Sequence, residues 1–462
     1  MPFHGTVTAA GIDEVHTTGL EGAALHDIVA IEGSSGETPA LVIALERDRV
    51  VLAPLASASI RPGMTARLRA RARVHVTPSL LGRVLTGLDL LSRTGQPGAA
   101  HGGDPGEPCG LFPPPGRPRW TAPRKRQAFT TGLLVHDMKG GLRRGDAILL
   151  SGEELNGASS AGSLSLQVAG HVLRHQESTG GVCVFARLSP GPDTCSSRDL
   201  LTAAHHARDS NAHSDPWART LFLEAGEAAT PAMSWLVGRA AVAVARLLAE
   251  QGADVTLAVD GFPSLRGPAF DRLPGWSPFA ELGLLTSAAD AHAGGSLTVL
   301  FTDRGHLPRE AHQLFDTHLD LRRTLTGQIP VRYSTFARPP VRPEPRSALG
   351  RILLASQEAE LHSGASWDTA TARRGRRIHE ALRFHVAASL DLVEQLLCVL
   401  AADRLDSLAP SDVARFTERY IRTLREQHAP YLQRLRDTAI VPDTDQETWA
   451  RAATAVAGSL KP

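Results

Sequence analysis

Ala147-Ile-Leu-Leu-Ser-Gly-Glu-Glu-Leu-Asn-Gly-Ala-Ser159 starts as an apolar run and breaks into a loop bounded by Gly152 and Gly157. The apolar run has strand length, and residues 163–173 have helical spacing. A strand that passes through a glycine loop into a helix is the opening unit of an α/β layer. The pattern then repeats. Val182-Cys-Val-Phe-Ala, Thr220-Leu-Phe-Leu, Asp254-Val-Thr-Leu-Ala-Val and Ser296-Leu-Thr-Val-Leu-Phe read as further strands, with a long helix near 232–250. Such apolar strands suit a parallel sheet covered on both faces. The alternation predicts an α/β domain over residues 125–345.

Residues on the amino-terminal side follow a different period. Gly5-Thr-Val-Thr, Asp27-Ile-Val-Ala-Ile, Ala40-Leu-Val-Ile-Ala-Leu, Val50-Val-Leu-Ala, Ala66-Arg-Leu-Arg-Ala and Arg73-Val-His-Val are short runs separated by turn residues. They predict a small β-barrel over residues 1–76. Residues 77–124, with Phe112-Pro-Pro-Pro-Gly, read as a connecting Pro/Gly-rich segment. Beyond 345, apolar residues recur at spacings of three and four, which predicts a helical bundle over 346–462 with one helix starting at Ser411-Asp412.

Composition narrows the function. Hydrophobic residues make up 42% and charged residues 21% of the 462, as in an ordinary globular protein. Forty-nine basic residues against 48 acidic leave a net charge of +1, too little for a general hold on nucleic acid. The apolar run from Ala240 is broken by Arg246, short of the ~20 residues that a membrane span needs. Met1-Pro-Phe-His leads into small and polar residues and does not read as a secretory leader. Cys109, Cys183, Cys195 and Cys398 contain no CxxC pair and read as thiols, and His205, His206 and His213 match no zinc spacing and read as a solvated loop. Lys125, Lys139 and Lys461 are the only lysines, so lysine chemistry has three places to reside.

Several strings carry a family resemblance. They are Leu45-Glu-Arg-Asp-Arg-Val50, Ile60-Arg-Pro-Gly-Met64, Leu80-Leu-Gly-Arg-Val-Leu-Thr-Gly-Leu88, Thr131-Gly132 ahead of Gly152, and Gln427-His-Ala-Pro-Tyr-Leu432. In collinear order from Gly5 to Leu460, the chain resembles the α subunit of the F-type ATP synthase. Flagellar and type III secretion ATPases are the nearest alternatives, and the His-Ala-Pro string favours α. The resemblance implies an N-terminal six-stranded β-barrel, a central P-loop-type (RecA-like) α/β domain and a C-terminal α-helical bundle. It also implies a non-catalytic α-like subunit that alternates with a β-like catalytic subunit around a γ-like shaft. Such a complex is membrane-bound, with this chain a peripheral part on its cytoplasmic face. The alternative is a pseudo-ATPase scaffold or regulator in another assembly, such as a secretion-type complex. The family's amino-terminal helix, which meets the δ subunit of the peripheral stalk, has no counterpart ahead of Gly5, so that contact stays open.

The phosphate loop GxxxxGK[ST] wraps phosphates in backbone N–H groups, neutralises them with lysine and binds Mg²⁺ through the hydroxyl. Gly152, Asn156, Gly157 and Ser159 keep its outline, but Ala158 occupies the lysine position and Glu153 and Glu154 add negative charge. Asp260, at a strand end, aligns with the family's magnesium aspartate, and with Ser159 is the expected metal pair if a metal is kept. Ser189 stands where a hydrolytic site needs a carboxylate to orient water. The chain therefore calls for no cofactor, with weak MgATP or MgADP binding as the alternative. Arg143 or Arg144 could replace the lysine only from ahead of the strand, which is poor geometry. The α subunit's interface arginine, which stabilises phosphoryl charge on the neighbouring subunit, maps to Arg338, with Arg342 as the alternative.

Overall fold

The computed structural model describes residues 4–33, 36–92, 107–111, 127–138, 141–151, 164–188, 198, 217–226, 229–261, 282–283, 285–286, 290–291, 295–302, 307, 309–328, 342–344, 347–361 and 369–460. They fall into two compact units, one of Met1–Gln127 with Arg144–His318, the other of Ala128–Arg143 with Leu319–Pro462.

In the first unit, six strands close an antiparallel barrel: His4–Ala10, Val15–Thr18, Asp27–Gly33, Gly36–Leu45, Val50–Pro54 and Thr65–Arg71. Val7, Val15, Val29, Ile31, Val42 and Leu52 fill its interior. The intervening residues Ile28, Leu41, Ile43, Val51 and Ala53 point outward into a second, larger core shared with the α/β layer. The third and fourth strands are therefore buried on both faces, which explains their continuous apolar runs. Arg73–Val76, read from sequence as a barrel strand, instead pairs antiparallel with Glu107–Gly110. The strand that completes the barrel is Val15-His-Thr-Thr18, too short and too polar to show a period.

Six parallel strands form the α/β layer, ordered Ala147–Ser151, Ser296–Thr302, Asp254–Asp260, Val182–Arg187, Thr220–Glu224 and Val84–Thr86. The last lies in the stretch read as a connector, and its three residues carry too little pattern to announce a strand. The Pro231–Glu250 helix covers one face. Thr230 caps it by accepting from the Met233 amide at 3.2 Å, and Pro231 occupies the first turn, where a missing N–H costs nothing. Its Ala, Val and Leu side chains pack with Val182, Val184, Val255, Leu257 and Val299. Among the described residues it is the one helix long and apolar enough to cross a membrane, yet 83% of its apolar window is buried, so it is a core helix. The Thr230 hydroxyl also donates to the Pro54 carbonyl at 2.7 Å, which fixes the helix start against the barrel. Residues of the opposite parity point the other way. The Cys183 thiol donates to the Leu173 carbonyl of the Leu164–Ser178 helix at 3.3 Å, which places that helix on the second face.

The second unit is helical: Ser347–Leu361, Ala370–Leu382, Leu392–Arg404, Val413–Gln427, Ala429–Thr438 and Gln446–Ser459. Thr369 and Asp391 cap two of these starts, and Asp391 with Glu394 makes a complete capping box. Pro430 sits in the first turn of the Ala429–Thr438 helix, where the chain restarts after His428. Glu394, fully buried, accepts from Arg425 Nε at 2.8 Å and Nη2 at 2.7 Å, and from Arg436 Nη2 at 3.0 Å. Three helices are thereby tied to one carboxylate. Thr131, Gly132 and Asp137 belong to this unit. Asp137 accepts from the Thr131 amide (2.7 Å), the Thr131 hydroxyl (2.8 Å) and the Gly132 amide (3.1 Å). Gln395 fastens the segment by accepting from the Leu134 amide and donating to the Gly132 carbonyl, both at 2.8 Å.

Candidate functional site

In an open parallel sheet the strands' carboxyl ends are where loops gather a ligand. Here the register runs straight across that edge. Leu150 pairs with Thr302, Thr302 with Asp260, Asp260 with Arg187, Arg187 with Glu224, and Glu224 with Thr86. Neighbours in such a row sit about 4.8 Å apart and share a face. Val259, Ala186 and Leu223 pack toward the Pro231–Glu250 helix. The residue after each, Asp260, Arg187 and Glu224, therefore faces the side of the Leu164–Ser178 helix. That helix is the first described element after the strand that ends at Ser151.

Asp260 is fully buried, and its Oδ1 accepts from the Thr302 hydroxyl at 2.7 Å. Its carbonyl accepts from the Leu188 amide at 3.0 Å, and Gly261 follows at φ +85°, turning the chain away where a side chain would be strained. A buried carboxylate is costly without a partner charge. Arg187, only 8% exposed, is its neighbour in the row and has Glu224 on its other side. In the strand register a basic residue thus stands between two acidic ones at the sheet edge.

Of the expected metal pair, Asp260 is in this row and Ser159 lies outside the described residues. The oxygen donors of the described row are Asp260, Thr302 and Glu224, with Arg187 in register between the two acids. Among the described residues no group of three His, Cys, Asp or Glu side chains could hold a metal ion.

Gly152, Asn156, Gly157, Ala158, Ser159 and Arg338 lie outside the described residues, as do Lys139, Ser189, Cys195, His205, His206 and His213. Arg342 belongs to the second unit. It begins a two-residue strand, Arg342–Pro343, parallel to Ile440–Val441, and its amide donates to the Ala439 carbonyl at 3.2 Å. Arg144 forms an ion pair with Asp254, at the start of the strand that ends in Asp260. Six residues separate those ends, about 20 Å, so Arg144 serves the opposite edge of the sheet. The row also holds residues that the sequence reading passed over: Arg187, Glu224 and Thr302. Their signal was a polar residue closing an otherwise apolar strand.

No protein-family model matches the chain. It is 26% identical over 465 residues to ATP synthase subunit alpha 2 of Burkholderia thailandensis, covering 91% of this chain and 79% of that relative. It is 24% identical over 487 residues to ATP synthase subunit alpha of Lacticaseibacillus casei, covering 96% and 90%. The six-stranded barrel, the parallel α/β sheet and the helical region follow the order that the resemblance implies. The chain is a distant homologue of the ATP synthase α subunits over most of its length.

Proposed function

We propose that this chain is a non-catalytic, α-like subunit of an F-type rotary ATP synthase. It alternates with a β-like catalytic subunit in a ring around a γ-like shaft, and ATP is made or hydrolysed on the β-like residues. It lies on the cytoplasmic face of a membrane as a peripheral part of the complex and meets the membrane only through rotor and stator. Peripheral-stalk subunits are its further partners. The observation that supports this reading most is the collinear likeness to ATP synthase α subunits over 91–96% of the chain.

The chain's own nucleotide site is impaired on this reading. Ala158 removes the lysine, at a cost of about 1.5–3 kcal/mol, or roughly 10–150-fold in affinity. Ser189 removes the base. On the same reading Arg187, in register between Glu224 and Asp260, is the chain's own cation at this edge. Arg338, or Arg342, is the interface arginine offered to the neighbouring subunit.

Two measurements test this. Titration of the purified chain with MgATP gives no binding up to about 1 mM, and Ala158→Lys restores it. Co-expression with β-like and γ-like subunits gives an alternating ring whose turnover falls in Arg338→Ala. Micromolar MgATP binding by the wild type would sink the impaired-site reading. Failure to enter a ring would favour the scaffold reading.

A further inference from the structure

A cavity of about 940 Å³ in the first unit lies against the outer surface of the Pro231–Glu250 helix. It is within the size range of small-molecule sites. Leu25, Leu45, Val242 and Leu247 give it apolar wall. Leu25 and Leu45 are 42% and 49% exposed, two of the six large apolar side chains most exposed among the described residues. Arg71, Arg73, Arg239 and Arg246 also line it, against two carboxylates, Asp27 and Glu250. Asp27 is engaged locally, since its Oδ2 accepts from the Ala24 amide at 2.8 Å. The wall therefore combines uncovered hydrocarbon with an excess of guanidinium.

The cavity is also built with some strain. His26, in its wall, has φ +67°, a left-handed conformation uncommon for a residue with a Cβ. Hydrogen bonds hold it there: its amide donates to the Val42 carbonyl at 2.8 Å, and its carbonyl accepts from the Ala72 amide at 3.4 Å. Its ring meets Trp235 edge-on at 5.8 Å, and the Arg239 guanidinium lies over the same indole at 5.5 Å. Burial, and then the nearby Arg239, push the His26 imidazole down to about 4, so it is neutral near pH 7 and leaves positive charge to the arginines.

We propose that this cavity binds a small amphiphilic anion, with a carboxylate-type head at the arginines and a hydrocarbon body along Leu25, Leu45, Val242 and Leu247. Charge complementarity selects the anion, because guanidinium forks match carboxylate geometry. The exposed leucines select the apolar body. The proposal does not depend on the subunit role, since every lining residue lies in the first unit and outside the strand-end row.

The test is calorimetric titration of the full chain with decanoate, decanol and sulfate. Decanoate binds one per chain, decanol at least about tenfold more weakly, and sulfate not measurably. Arg246→Gln and Leu25→Glu each weaken decanoate about tenfold or more. Leu25 is exposed, so Leu25→Glu leaves the unfolding temperature near that of the wild type and separates ligand loss from misfolding. Absence of saturable decanoate binding overturns the proposal. So does decanol or sulfate binding as tightly as decanoate, or variants that bind decanoate like the wild type.

Discussion

Removing the charge of Glu394 tests how the second unit is held. Its carboxylate is fully buried and takes three arginine hydrogen bonds at 2.7–3.0 Å. Charge-assisted hydrogen bonds contribute about 1.5–3 kcal/mol each when dry. Arg425 and Arg436 are 49% and 37% exposed, so solvent screens them and each arginine counts for about 1 kcal/mol. Glu394→Gln keeps the methylenes and an oxygen for the Asp391 amide, so it should cost about 2 kcal/mol. Glu394→Ala also loses its half of the capping box, about 1 kcal/mol, and one buried methylene, about 1 kcal/mol, for roughly 4 in all. Native-state hydrogen exchange at the amides of Leu396–Leu400 reads this locally, because those amides sit in the helix that Glu394 starts. A cycle with Arg425→Gln should show a coupling of about 1 kcal/mol. If Glu394→Gln changes those amides by less than about 0.5 kcal/mol and the coupling is zero, the carboxylate is not what ties these helices.

Asp137 predicts a pH dependence. Burial pushes its carboxyl up to about 7 from 3.8, against the opposing pull of the Thr131 and Gly132 donors. Below about 4 the acid is neutral in both states. As pH rises toward 7 the unfolded chain ionises first, so stability from this group falls across that window and levels off above it. Thermal melts from pH 4 to 8 should show the decline, and Asp137→Asn should flatten it. Gly327 closes the Leu321–Thr326 helix at φ +69°, and a Cβ there would overlap the His379 carbonyl oxygen. Gly327→Ala should cost about 2–4 kcal/mol in urea unfolding, against about 1 for Gly180→Ala, which has φ +90° and open space. Arg187 and buried Asp260 are register neighbours, and charge pairing between them predicts that Arg187→Leu costs about 3–5 kcal/mol and that the double variant with Asp260→Asn recovers much of it. Additive effects in that pair would show that the two do not compensate each other.

Five of the six parallel strands were readable because each is an apolar run between turn residues. The long helix was readable from its apolar length, whereas its Thr230 cap and Pro231 start emerged only in the structure. What failed to show was whatever depends on pairing. Arg73–Val76 has a strand's residues, but nothing local says that its partner is Glu107–Gly110 rather than the barrel. Val15–Thr18 and Val84–Thr86 are too short to display a period. The same limit hid Arg187. In sequence it is one charged residue after Val182-Cys-Val-Phe-Ala, and only the strand order, with Asp254–Asp260 on one side and Thr220–Glu224 on the other, sets it in register between two acidic residues. Asp260 was found because its strand ends in an acid, whereas its hydroxyl partner Thr302 is 42 residues further along the chain.

The second unit is discontinuous, and that affects its birth on the ribosome. Residues 128–143 are made first, but the helices they join begin only after residue 318, some 175 residues later. At about 5–20 residues per second that is roughly 9–35 s in which Leu133, Leu134 and Val135, all buried in the finished fold, have no native cover. The barrel and parallel sheet can complete themselves in that interval. The helical unit cannot, so the early segment is a natural place for a chaperone to hold the nascent chain.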